Sequence, residues 1–233
     1  MKQLKYVATG TGRSGSVFVA KLLTSVGVPC GHEAVFNRFG LDRARYLLSN
    51  PCEIRTSLVS GDSWLPPGEI EADSSYMAAP YLGSDLLMGA GVIHAVRHPI
   101  RVISSFVNAL GYFRGPKYGT HYEKFIYTII PDLYGEMTQA ERACVFYVRW
   151  NEMIERAGGF RFRVEDNSAA LLDFLGVVPS KPDLMFKDRK ANTMNNKKPL
   201  IRLRDIPEGG VKNRFLAMGE RYGYNMDVKL KVF

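Results

Sequence analysis

Three glycines and one cation open the chain's most informative stretch, residues 6–18, which begins as the apolar run Tyr6-Val7-Ala8-Thr9 and resumes as a helix-like run after Gly15. Gly10, Gly12 and Gly15 allow a tight turn that brings backbone N–H groups close to an anion, and the following helix N-terminus adds unpaired donors and a partial positive charge. Arg13 lies inside the turn. That chemistry is the cradling of a phosphate or similar oxyanion. A second pair lies further on, where residues 91–97 read as a buried strand ending at Arg97 and Pro99 starts a helix at its first position. Arg97 offers a planar fork of donors to a phosphate dianion, and Ser105, eight residues later, can add a hydroxyl from the same side. His32 and Glu33 follow the first helix, where the chain returns to the carboxyl edge of a sheet near this loop.

The loop departs from an ATP-binding P-loop in a specific way. Gly10 and Gly15 keep the G-x-x-x-x-G spacing, but Ser16 stands where the Walker lysine belongs and Val17 where a magnesium-binding Ser or Thr belongs. The run Gly12-Arg13-Ser14-Gly15-Ser16 resembles instead the 5′-phosphosulfate loop of the sulfotransferases, in which Lys or Arg precedes Ser-Gly-Thr or Ser-Gly-Ser at a helix start. Arg97 and Ser105 are similar to that family's 3′-phosphate pair, and residues 162–166 with the apolar helix after them resemble its late Arg-Tyr-Glu-Asp-Leu strand and helix. The likeness runs from residue 4 to about residue 176. It implies an α/β, three-layer fold like that of the P-loop NTPases, with a central, mostly parallel sheet flanked by helices.

The resemblance also implies a reaction, sulfuryl transfer from 3′-phosphoadenosine 5′-phosphosulfate to a hydroxyl or amine, with adenosine 3′,5′-bisphosphate as product and no metal. The implied cofactor-binding residues are Gly12, Arg13, Ser14, Gly15, Ser16, Val17, Arg97 and Ser105, with Arg13 also stabilising the leaving phosphate. Some members of the family place a Glu and others a His as the base; Glu33 is favoured here and His32 is the runner-up. One departure counts against the likeness: the late Arg-Lys-Gly triplet that closes over the 3′-phosphate is missing. The basic stretch 187–204 stands in its place, with Lys187, Arg189, Lys190, Lys197, Lys198, Arg202 and Arg204, and reads equally as a solvated loop. A P-loop kinase or NTPase with an altered loop, or a nucleotide-binding protein that has lost its chemistry, are the competing readings.

Composition agrees without choosing. The 233 residues, 46% of them hydrophobic, suit one domain with a sizeable core. The balance of 31 Lys+Arg against 23 Asp+Glu, a net +8, favours an anionic ligand. The basic residues are spread rather than striped and match no nucleic-acid motif, so nucleic acid is not expected as a partner; the resemblance implies a small-molecule or saccharide acceptor, whose identity among saccharide, lipid, small alcohol and peptide the sequence does not give. Cys30, Cys52 and Cys144 have no metal-ligand spacing and suggest free thiols in a reducing compartment. With no leader-like start and no run of about 18 apolar residues, a cytoplasmic protein without a membrane anchor is expected. Oligomeric state is not legible.

The elements that must position these groups follow from periodicity. Strands are expected at 4–9, 68–72, 92–96 and 160–164, and a short strand or loop at 28–33. Helices are expected at 16–26, 41–49, from Pro99, at 139–157, at 169–175 with Asp166 or Asn167 as N-cap, and at 211–222. Residues 111–138, less regular and rich in Tyr and Phe, read as an insertion whose rings either cover an acceptor or pack onto the body.

Overall fold

Val7 and Ala8 are both fully buried, yet they belong to different hydrophobic clusters. Side chains alternate across a strand, so this pair marks a sheet covered on both faces. The computed structural model describes residues 1–56, 64–177 and 200–227. Strands β1 (Tyr6–Thr9), β2 (Cys30–His32), β3 (Ala72–Ser74), β4 (Gly91–Val96) and β5 (Phe160–Arg163) form one sheet in the order β2-β3-β1-β4-β5, with every pairing parallel. The expected α/β class is therefore present, and the sheet is wholly parallel.

Helices α1 (Ser16–Ser25) and α6 (Ala169–Leu175) share one cluster with Ala8, through Val19, Leu22, Leu23, Leu171 and Leu175. On the other face, α2 (Gly40–Ser49) joins Val7 through Ala44, Leu47 and Leu48. After β1 the chain crosses to β2 on one side, and from β3 it passes over β1 to β4 on the other. The carboxyl end of β1 is thus a topological switch point, where open parallel sheets bind ligands.

Two of the sequence expectations shift. The strand expected at 68–72 is β3, which begins at Ala72 because pairing decides its place: Ala72 lies opposite Tyr6 and Ser74 opposite Ala8. At the helix from 169 the N-cap position is Ser168, which makes no side-chain cap bond; Asn167 Oδ1, one residue earlier, accepts from Ala169 N instead, and Asp166 pairs with Arg163.

The described residues group into two compact units, one of residues up to 96 together with 153–177, the other of 97–152 and 200–227. In the second unit α3 (Pro99–Ser104) runs into a π-helical turn (Ser105–Leu110), followed by α4 (His121–Ile129), α5 (Gln139–Ala157) and α7 (Gly210–Arg221). The irregular stretch thus contains a true helix, started by a reciprocal capping box of Thr120 and Glu123. Its rings mostly pack this unit: Phe113 and Tyr127 are buried, and Phe125 meets the fully buried Trp150 edge-on. Tyr134 is exposed. Among the described residues no helix is long and apolar enough to cross a membrane, and all three cysteines are free.

Candidate functional site

The loop leaving β1 is held by close packing. A Cβ on Gly10 would run into the carbonyl oxygen of Ala95, so only glycine lets the chain turn this near β4. Ser14 N donates to Thr11 O at 3.1 Å, and the two hydroxyls share a 2.6 Å bond in a buried position. Arg13 is left-handed, with φ 68°. Gly15, at φ 94°, is the N-cap of α1. It brings no capping side chain, and the first turn carries no acid. The cap thus offers the donors at the start of α1 no side-chain acceptor and the first turn brings no acid of its own, an arrangement that fits an oxyanion.

β2 delivers the candidate bases to this loop. Ser16 Oγ and His32 Nε2 share a 2.9 Å hydrogen bond, which ties the first residue of α1 to the last of β2. His32 is 4% exposed, and its backbone exchanges hydrogen bonds with Trp64. Glu33 Oε1 lies 3.9 Å from His32 Nε2, and the Glu33 side chain is only 13% exposed, so it is not a freely solvated carboxylate. Its backbone is left-handed, with φ 51°. Non-glycine residues in this region are uncommon and gather at functional sites. Among the described residues Arg13, Glu33 and Phe113 are the ones so placed, and two of the three are candidates for chemistry.

The sequence reading missed the end of β3. Asp73 is fully buried, and its carboxylate accepts from three successive backbone N–H groups: Ala34 at 3.0 Å, Val35 at 3.2 Å and Phe36 at 2.9 Å. Burial pushes this carboxyl up to about 6, against the pull of those three hydrogen bonds. Burial, and then the nearby Asp73 charge, pushes the Cys30 thiol well up, so it stays protonated. Ser74 Oγ donates to Ser16 O at 2.9 Å, and Ser74 O accepts from Glu33 N at 3.2 Å. The sequence carried little signal for it: residues 70–75 hold two acids, Glu71 and Asp73, and only the fold shows which one is buried.

In the second unit Arg97 directly follows the last residue of β4, and its carbonyl accepts from Tyr147 Oη at 3.2 Å. Pro99 stands at the first position of α3, as expected. Ser104 Oγ is buried and accepts from Ile201 N at 2.8 Å, while Ser105 is half-buried and begins the π turn. Of the late cations, Arg202 and Arg204 are exposed, and Lys187, Arg189, Lys190, Lys197 and Lys198 lie outside the described residues. No known protein-family model and no curated protein matches the chain.

Proposed function

We propose that the chain is a sulfotransferase with a P-loop-NTPase-like fold, which moves a sulfuryl group from 3′-phosphoadenosine 5′-phosphosulfate to a hydroxyl or amine of a small-molecule or saccharide acceptor. The observation that carries this reading is the glycine loop after β1. It sits at the switch point of a parallel sheet and opens α1 with a bare N-cap, while Ser16 and Val17 take the places of the lysine and hydroxyl that an ATP site uses.

The donor, when bound, supplies a sulfuryl group already joined to a good phosphate leaving group. The protein's part is positioning and electrostatics. The N–H groups of residues 12–16 and the Arg13 guanidinium hold the 5′-phosphate and offset the charge that grows on it. Arg97 and Ser105 take the 3′-phosphate, which ATP lacks. Glu33 receives the acceptor's proton. His32, whose Nε2 shares a hydrogen bond with Ser16 Oγ in a buried position, is the runner-up. The free thiols fit a reducing, cytoplasmic setting.

The missing Arg-Lys-Gly triplet favours a second reading, a nucleotide-binding protein without transfer activity. Thermal unfolding with adenosine 3′,5′-bisphosphate, with ATP, and with neither tests the assignment. The bisphosphate should raise the Tm well beyond ATP, with or without excess chelator. Equal stabilisation by ATP, or a strict need for magnesium, overturns the reading in favour of an NTPase.

A further inference from the structure

Four backbone groups of the turn at residues 33–36 end on the exit of β3. Ala34, Val35 and Phe36 donate to the Asp73 carboxylate, and Glu33 N donates to Ser74 O. Ser75 closes the far side, its Oγ donating to Phe36 O at 2.6 Å. The turn can fold over Asp73 only because Gly31 faces that residue across the sheet: a Cβ there would lie 2.6 Å from Ala34 Cβ and 3.2 Å from Asp73 Oδ1. Successive N–H groups converging on one carboxylate form an anion nest, here with the anion supplied by the chain itself.

A fully buried carboxylate is a costly way to fill a strand position that Ala72 beside it fills without charge. What Asp73 adds is direction. It pins the three residues that follow Glu33, whose left-handed backbone persists only where its surroundings over-determine it.

We propose that Asp73 is a positioning residue for Glu33, holding the turn at residues 33–36 through its N–H groups so that the Glu33 carboxylate is presented in one orientation. The inference rests on Glu33 being the base, and it can fail separately. Protonation of Asp73 turns one acceptor oxygen into a donor and leaves at least one of the three N–H groups poorly paired. The turn then loosens, and Glu33 loosens with it.

The test is a carbon-13 and nitrogen-15 NMR titration of the full chain from pH 4.5 to 8. The Asp73 carboxyl carbon should titrate near 6. The amide protons of Ala34, Val35 and Phe36 and the Glu33 carboxyl carbon should inflect at the same pH. Cys30, next to Gly31 on β2 and within reach of the Asp73 charge, stays a thiol throughout, and His32 is followed in the same spectra so that its own titration is told apart. In Asp73→Asn the shared inflection should vanish from the amides and from Glu33, with affinity for adenosine 3′,5′-bisphosphate changed by less than about threefold. A Glu33 signal that ignores the Asp73 titration overturns the proposal. If Asp73→Asn does not fold, the wild-type titration decides alone. Failure of the wild-type chain to bind the bisphosphate would remove the sulfotransferase reading while leaving the Asp73–Glu33 coupling measurable.

Discussion

Gly10 packs so closely against Ala95 that a side chain on the first would strike the carbonyl oxygen of the second. The contact ties the start of the glycine loop to the backbone of β4, which has no soft side chain to move aside. Gly10→Ala should therefore cost about 3 kcal/mol or more in unfolding free energy, at the upper end of overpacking effects. Gly15→Ala should cost less, about 1–2 kcal/mol, since its burden is a left-handed backbone and an ordinary 3.4 Å contact with Val164. Gly83 faces open space, and its Ala variant should stay within about 0.5 kcal/mol of the parent. Urea midpoints at constant slope rank the three. If Gly10→Ala proves as stable as Gly83→Ala, the loop does not approach β4 as described.

The glycine pattern was legible because its cause is local: a turn, a left-handed residue and a helix start are written in consecutive letters. The helices at 139–157 and 169–175 were legible from their apolar spacing, and both bounds coincide with the structure. What sequence did not carry were positions decided by partners far along the chain. β3 sits at Ala72–Ser74 because β1 pairs with it there. Asp73 finds its donors 37 to 39 residues away. The Ser16–His32 bond likewise exists only once α1 and β2 are packed, and no reading of either segment alone shows that it occupies Nε2.

Asp73 makes a pH prediction whose sign is opposite to that of a salt-bridged carboxylate. Its folded value is raised from 3.8 to about 6, so the folded chain holds the proton longer than the unfolded one. The contribution is fully present below the unfolded value and is lost as pH rises through about 6. Asp73→Asn cannot ionise. Its stability relative to the parent should therefore improve by on the order of 3 kcal/mol between pH 3.5 and 7.5, with most of the change below pH 6.5. Urea denaturation at several pH values measures this directly. Parallel curves for the two proteins would mean that the carboxyl is not raised.

Arg97 should carry affinity for the 3′-phosphate. Truncating its side chain leaves the bond from Tyr147 Oη to its carbonyl in place. Losing one charge-assisted contact costs roughly 1.5–3 kcal/mol, so Arg97→Ala should weaken adenosine 3′,5′-bisphosphate binding by about 10- to 150-fold. Weak ATP binding should hardly change. Calorimetric titration of both ligands into parent and variant separates these outcomes, and an equal loss for both would remove Arg97 from 3′-phosphate recognition.

Glu33 and His32 can be told apart by what each variant leaves intact. A base acts on the acceptor's proton, across the sulfur from the nucleotide, so Glu33→Gln should reduce turnover by about 10²- to 10⁴-fold while bisphosphate affinity stays within about threefold. His32→Ala should behave differently, because His32 is buried and holds Ser16 Oγ at the first residue of α1. Removing it leaves that hydroxyl without its 2.9 Å partner and disturbs the helix start proposed to bind the 5′-phosphate. Its effect should therefore fall on stability, by about 1–3 kcal/mol, and on bisphosphate affinity, with a smaller loss of turnover at saturating donor. The assay needs an acceptor, which incubation with labelled phosphosulfate and pooled saccharides or cell extract can supply. If Glu33→Gln keeps near-parent turnover while His32→Ala loses it at unchanged affinity, the histidine is the base and the Ser16 bond must open during the cycle.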